Sequence, residues 1–238
     1  MAGRLLVRGM IAGMLAACLA FLLAKIYGET SVDLAINFEA AADAAAGQAP
    51  EVELVSRAVQ STWGLATAIL MYGIAYGGIF SLVFGFAYGR VNTMSARNLS
   101  MFIAMAGFVV FYFMPILKYP PNPPAVGIGD TIGIRTQLYF EAMVLSIVCA
   151  ILGLIIYNQL RKYLDVWDAA IIGLLTYLVV FGLTQTVLQD INEVPVNFPA
   201  TILWHFREAA IGIQIVLWGS MGLIFGKMVQ PLFVTRQI

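Results

Sequence analysis

The side chains best suited to hold a metal ion are one histidine and a few carboxylates. His205 is the only histidine in the chain, and Glu208 follows it three residues later, on the same face of a helix. Imidazole and carboxylate together suit a borderline divalent ion such as cobalt, nickel or zinc. Glu141 is an acid within an apolar stretch, where a charge is expected to face protein or water. These three residues are the candidate metal ligands, and an interfacial or structural role is the alternative.

Further polar side chains lie near the ends of the same apolar stretches. Arg135 shares a helical face with Tyr139, Ser146 and Cys149. An unpaired charge at the edge of a membrane costs about a few kcal/mol. We therefore expect Glu141 and Glu208 to be compensated by Lys118, Arg135 and Arg207 in one cluster. This predicted outer-mouth cluster comprises Lys118, Asn122, Arg135, Tyr139, Arg207 and Gln214.

Motifs for other chemistry do not occur in the sequence. We find no nucleotide-binding loop, no catalytic triad and no HExxH metal motif. The two cysteines, Cys18 and Cys149, lie in apolar runs without the spacing of a zinc site. We predict that the protein is not an enzyme and holds no permanent cofactor.

The composition indicates what positions these residues. Of the chain 61% is hydrophobic and 11% charged, whereas a soluble domain carries about 25% charged residues. A membrane core needs about 20 apolar residues per helix. Six stretches qualify: Leu5–Tyr27, Ser61–Tyr88, Leu99–Leu117, Thr136–Leu160, Ala169–Leu188 and Glu208–Phe225. The prediction is an all-α polytopic membrane protein with a single transmembrane domain over residues 1–238. The first stretch also resembles a signal or lipoprotein leader, but it stays apolar beyond Cys18, which favours a retained helix.

The basic residues predict the orientation. With the N-terminus inside, eight of the 13 Lys and Arg residues fall on the inner side, as the positive-inside rule requires. They are Arg4, Arg8, Arg90, Arg97, Arg161, Lys162, Lys227 and Arg236. Both termini are then cytoplasmic, and the helices form three hairpins that cross outward and back.

Two outer loops are distinctive. Residues 28–60 are acidic, and Thr30 to Asp33 resembles the start of a short surface helix that ends near Gly47. Residues 119–135, here called the Pro-rich loop, hold four prolines in five positions, followed by Gly127, Gly129 and Gly133. Prolines stiffen the chain and glycines permit turns. The loop is therefore either a rigid connector or the lining of a vestibule.

Small residues recur every four positions in three helices, as in helices that pack closely in lipid. They are Gly9, Gly13 and Ala17; Gly73, Gly77, Ser81, Gly85 and Gly89; and Gly222 and Gly226. We predict that Gly77→Leu and Gly85→Leu both disturb assembly.

Two separated motifs resemble the CbtA family of proposed cobalt transporter subunits. One runs from Leu117 to Gly127 (LKYPPNPPAVG) and continues through Asp130, Arg135 and Tyr139. The other is LWHFR, ending at Arg207, with Gln214, Leu217 and Trp218 after it. The resemblance implies a prokaryotic cobalt uptake system in the cytoplasmic membrane, with a small single-helix partner, CbtB.

The leading interpretation is a permease subunit for cobalt or another divalent transition metal, which is cargo and not cofactor. It would have an outer vestibule beneath the Pro-rich loop. The expected partners are lipids and a CbtB-like subunit or another membrane complex, with no nucleic acid. The alternative is a structural or scaffold subunit that does not itself transport.

Overall fold

The computed structural model describes residues 2–47, 54–90 and 94–234, which contain helices and no β-strand. Six helices in this part of the chain are long and apolar enough to cross a membrane. They are α1 (Ala2–Ala45), α2 (Arg57–Ala87), α3 (Ala96–Ile116), α4 (Ile132–Leu160), α5 (Val166–Gln185) and α6 (Ala200–Val234). The predicted fold class of six apolar helices is confirmed. Glu51, Glu53 and Arg236 lie outside the described residues.

Helix α1 continues beyond Tyr27, the predicted end of the first apolar stretch. The predicted cap at Thr30 is wrong, because Gly28 has helical angles and the helix continues through a π-helical segment, Ala24–Gly28. At about 1.5 Å per residue, the 44 residues of α1 are more than twice as long as a membrane core requires. The predicted C-terminal glycine is confirmed, since α1 ends at Ala45 and Gly47 has φ +70°.

The C-terminal half of α1 is tied to the start of α2. Arg57 pairs with Glu29 at 2.5 Å and with Asp33 at 2.8 Å. Two acids of the 28–60 loop are thus neutralised by an arginine within the same helical hairpin.

The described residues form two units. The first holds α1, α2, α3 up to Phe108, residues 122–125 and α6, and the second holds residues 109–121 and 126–196. The three predicted hairpins follow the order of the helices along the chain, but the packing partners are different. In the first unit α1 packs on α2 and α6, and α3 packs on α6. In the second unit α4 packs on α5.

Glycines set the distance between α1 and α2. A Cβ atom on Gly13 would lie 1.9 Å from the Gly73 carbonyl oxygen, and one on Gly77 would lie 2.1 Å from that of Gly9. No side chain fits at these positions, so the two backbones touch. At Gly85 the interface has opened, because a Cβ there would meet only a Leu5 methyl group at 3.6 Å. The prediction that Gly85 belongs to the close interface is therefore wrong.

Helix α6 is held by small residues on one side and aromatic rings on the other. Against α3, a Cβ on Gly222 would lie 2.6 Å from Ala104 Cβ, and the Ser100 hydroxyl donates to the Gly222 carbonyl oxygen at 2.7 Å. Against α2, the Phe225 ring meets Phe80 and Phe84 edge-on at 5.3 and 5.1 Å. Both contacts fix the rotation of α6 about its axis within the first unit.

The second unit has its own close pair of helices. A Cβ on Gly153 of α4 would lie 2.6 Å from the Gly173 carbonyl oxygen of α5. Farther along, Ser146 and Tyr177 share a buried hydrogen bond of 2.9 Å. Cys149 is also buried here. Of the predicted α4 stripe, Ser146 and Cys149 are thus buried in this unit, whereas Arg135 and Tyr139 are partly exposed.

Candidate functional site

His205 and Glu208 meet on the first turns of α6. The His205 Nδ1 atom lies 3.2 Å from Glu208 Oε2, and the side chains are 69% and 52% exposed. The i,i+3 spacing thus brings the two together as predicted. Both side chains are therefore accessible to solvent.

The pair stands at the edge of a groove between α1 and α6. The groove has a volume of about 590 Å³, within the range of about 300–1,000 Å³ that is usual for small-molecule sites. It is lined by Leu23, Ile26, Tyr27, Ser31, His205 and Glu208, among others. Ser31 is 4% exposed, and its hydroxyl makes no hydrogen bond with the rest of the described chain.

Contacts between the two helices bound this groove. At one end a Cβ on Gly212 would touch Leu23 at 3.7 Å, and one on Gly28 would touch Ile213 at 3.6 Å. One turn beyond the other end, the Phe38 and Phe198 rings meet at 5.1 Å. The π-helical segment of α1 lies at the first end, and π-helical segments occur frequently at functional sites.

Arg207 points to the Pro-rich loop instead of the groove. Its Nη2 donates to Asn122 Oδ1 at 2.8 Å. Both residues belong to the predicted outer-mouth cluster, and the structure brings them together in the first unit. Gln214 is half-buried farther along α6.

In the second unit, the loop after α5 supplies the partners of the predicted cations. Lys118 pairs with Asp190, and Arg135 Nε lies 3.4 Å from Glu193 Oε2. Glu141 accepts a hydrogen bond from Gln137 at 2.7 Å and has no ion pair within the described chain. The expectation that Lys118 and Arg135 compensate Glu141 is therefore wrong, because these two cations pair with Asp190 and Glu193 instead.

The Pro-rich loop is closed around Arg135. The guanidinium donates to the Ile128 carbonyl oxygen at 3.1 Å and to that of Val126 at 3.5 Å. Gly127, between these two residues, has φ +120°. Of the three glycines predicted to form turns, only Gly127 has a positive φ, since Gly129 begins a 3₁₀ turn and Gly133 is in α4.

Glu193 is the acceptor that orders this loop. It receives hydrogen bonds from the Ile128 N–H and the Thr131 hydroxyl, both at 2.9 Å. These two hydrogen bonds, and to a smaller extent the positive charge of Arg135, lower the pKa of Glu193. The carboxylate therefore stays ionised at neutral pH. We call the set of Lys118–Asp190, Arg135–Glu193 and the bonds to Ile128 and Thr131 the outer clasp, after the side of the membrane predicted for these loops.

Tyr139, predicted to lie on the α4 stripe and in the outer-mouth cluster, contacts α3. The Tyr139 hydroxyl donates to the Phe111 carbonyl oxygen at 3.5 Å. Phe111 lies in a π-helical segment, Phe108–Phe113, of α3. Tyr139 thus contacts the irregular end of α3 inside the second unit.

Comparison with known proteins places the chain in a family. The family model of CbtA, described as a probable cobalt transporter subunit, matches residues 2–230. The chain belongs to the CbtA family. No curated protein and no solved structure matches it. This CbtA-family chain is thus a multi-pass membrane protein of a family of transporter subunits.

Few candidate metal ligands come together in the described part of this CbtA-family chain. Within residues 2–47, 54–90 and 94–234, no three His, Cys, Asp or Glu side chains come together as metal ligands. His205 and Glu208 form a pair, and Glu141 lies in the second unit beside Gln137. Asp190 and Glu193 were missed by the sequence analysis. Their only sequence signal is that two acids follow an apolar helix that ends at the predicted outer side.

Proposed function

We propose that this protein is a permease subunit that carries cobalt, or another divalent transition metal, inward across the cytoplasmic membrane of a prokaryote. The observation that carries the proposal is the family match over residues 2–230, together with six apolar helices. A subunit implies a partner, and we propose a small single-helix subunit of the CbtB type. The role is transport and not enzymatic catalysis.

The proposed point of entry is the His205–Glu208 pair. Two ligands about 2.1 Å from one metal ion lie about 3.0–3.4 Å apart, from right-angled to tetrahedral geometry. The 3.2 Å between His205 Nδ1 and Glu208 Oε2 falls within this range, so an ion can replace the hydrogen bond that now joins these two atoms. Because the two side chains are exposed and supply only two ligands, binding is weak enough for release, which transport requires.

The outer clasp supports a vestibule beneath the Pro-rich loop. A binding site works best when supporting hydrogen bonds hold the surrounding segments in place. In the second unit, the clasp fixes the loop at both of its ends, through Lys118 and Arg135. Glu141 lies about two and a half turns into α4, which begins at Ile132, and is the proposed carboxylate of the vestibule.

The orientation is also a proposal, supported by the charge distribution. With both termini cytoplasmic, the short loop between α4 and α5 carries Arg161 and Lys162 on the inner side. We expect single cysteines at Tyr163 to resist an impermeant maleimide in intact cells and to react after lysis, while cysteines at Asp130 react in both. Labelling of Tyr163 from outside would contradict this topology.

The function is tested by uptake of radioactive ⁵⁷Co²⁺ in cells that depend on this protein. We expect Glu208→Gln and His205→Ala to reduce initial uptake by about ten-fold, because each leaves a single ligand, and one ligand's loss corresponds to roughly 1.4 kcal/mol. Thr201→Ala, at an exposed position one turn earlier on α6, is the matched control and should transport normally.

Protein levels decide how the result is interpreted. Variants that accumulate normally but fail to transport support the entry site. Normal uptake by both His205→Ala and Glu208→Gln would contradict it. If deletion of the chain removes its partner from the membrane while these variants transport normally, the scaffold role is favoured instead.

A further inference from the structure

The groove between α1 and α6 is too large for the ion that its two ligands would hold. A divalent ion with six waters occupies about 180 Å³, at about 30 Å³ per water. The groove is about 590 Å³, or about three times as large. Only His205 and Glu208 among its lining residues are metal ligands of the usual kind. Most of the groove would therefore serve something other than the ion.

The remaining lining suits an organic molecule. Leu23, Ile26 and Leu34 provide apolar surface, and hydroxyl groups come from Tyr27, Thr30 and Ser31. Ser31 is the most informative of these, because the residue is only 4% exposed and its hydroxyl makes no hydrogen bond within the described chain. The Ser31 hydroxyl lines the groove and is therefore available to bond to an oxygen or nitrogen atom of a molecule bound there.

The charges restrict which organic molecule fits. The groove lining contains one carboxylate, Glu208, and no lysine or arginine. A complex with a net negative charge would be repelled by Glu208 and would find no cation among the lining residues to compensate it. A neutral or singly positive complex meets no such penalty.

We propose that this groove binds the divalent metal as a complex with a small amino-acid chelator, with His205 and Glu208 on the metal and the groove wall on the chelator. The proposal rests on the proposed function and names its substrate class. An amino acid supplies an amine and a carboxylate to the metal. Its carboxylate oxygens can accept hydrogen bonds from Thr30 and Ser31, and its side chain packs on Leu23 and Ile26. The external chelator thereby supplies the ligands that the protein lacks.

The test measures ⁵⁷Co binding to the purified full-length protein in lipid nanodiscs. Three probes are compared: CoCl₂ alone, cobalt with one equivalent of histidine, which leaves metal positions open for His205 and Glu208, and cobalt–EDTA. We expect the histidine complex to bind at least ten-fold more tightly than CoCl₂, and anionic cobalt–EDTA to stay at background. Equal binding of CoCl₂ and the histidine complex would overturn the proposal.

Two variants separate the groove from the ligand pair. Ala209→Phe fills the groove and should abolish the advantage of the histidine complex, whereas Ala41→Phe, exposed elsewhere on α1, should retain it. Thr30→Val, a replacement of equal size at an exposed position, should reduce the advantage several-fold and decides the matter if Ala209→Phe does not fold. An undiminished advantage in folded Ala209→Phe, or in Thr30→Val if Ala209→Phe does not fold, would overturn the proposal.

The uptake assay distinguishes this proposal from the transport function. If Glu208→Gln loses ⁵⁷Co²⁺ uptake while both cobalt forms bind the wild type equally, the transport function stands and the chelate proposal fails. If the histidine complex is preferred and uptake in cells rises when histidine is supplied with cobalt, both are supported.

Discussion

Gly77→Leu is expected to prevent accumulation of folded protein, whereas Gly85→Leu on the same helix is expected to be tolerated. A Cβ on Gly77 would lie 2.1 Å from the Gly9 carbonyl oxygen. Because the obstacle is backbone, the whole of α1 must move away from α2. Overpacking of this kind costs about 1–3 kcal/mol or more, and here it also separates the neighbouring contact between Gly13 and Gly73.

Gly85→Leu is a control matched in residue type, helix and direction of change. Both replacements give the same gain in helix propensity, about 1 kcal/mol, so the difference between them reports packing alone. At Gly85 a Cβ meets only a flexible Leu5 methyl group at 3.6 Å. The measurement is the yield and thermal midpoint of detergent-extracted protein on size-exclusion chromatography. Equal midpoints for the two variants would show that α1 and α2 are not held by this contact.

The difference between these two glycines shows what a repeat of small residues can and cannot predict. The spacing of four correctly placed Gly73, Gly77 and Ser81 on one face of α2. It could not show where the partner helix stops covering that face, because this depends on the register of α1. The Gly9–Gly77 and Gly13–Gly73 contacts define that register, and beyond Ser81 only Leu5 reaches across to Gly85.

The sequence predicted the apolar part of each helix but not how far a helix continues beyond the membrane core. The apolar stretches located all six helices, because a membrane core demands about 20 apolar residues. Beyond the core, composition no longer restricts the helix, and α1 continues through Gly28 to Ala45. Arg57 helps to hold this extension through Glu29 and Asp33, a contact between residues that the sequence separates by more than 20 positions.

In the candidate site, the sequence predicted contacts within one helix but not contacts between distant loops. The His205–Glu208 and Gln137–Glu141 contacts are local to one helix and follow from the helical repeat. The partners of Lys118 and Arg135 come from another loop, up to 72 residues away for Lys118 and Asp190. Nothing in the spacing indicates that the loop after α5 folds against the Pro-rich loop, so Asp190 and Glu193 could be found only in the structure.

Replacement of Gly127 is expected to open the Pro-rich loop, whereas the same replacement at Gly129 is not. Gly127 has φ +120°, where any other residue is strained by about 1–3 kcal/mol. In addition, a Cβ there would lie 2.1 Å from Arg135 Nη1. The guanidinium must then leave the Val126 and Ile128 carbonyl oxygens, and bonds of this charged kind contribute about 1.5–3 kcal/mol when solvent is excluded. The Arg135 side chain is 28% exposed, which lowers that figure.

Gly129→Ala isolates this effect from a general loss of flexibility. Two positions farther along, Gly129 has no atom within 4 Å of a would-be Cβ and no positive φ. We expect Gly127→Ala to increase tryptic cleavage after Lys118 and Arg135 and to reduce ⁵⁷Co²⁺ uptake several-fold, with Gly129→Ala unchanged in both. Since Arg135 and Lys118 are the cations of the outer clasp, cleavage reports directly on whether the clasp is closed. If Gly127→Ala resists trypsin and transports normally, the clasp is not needed to shape the mouth of the vestibule.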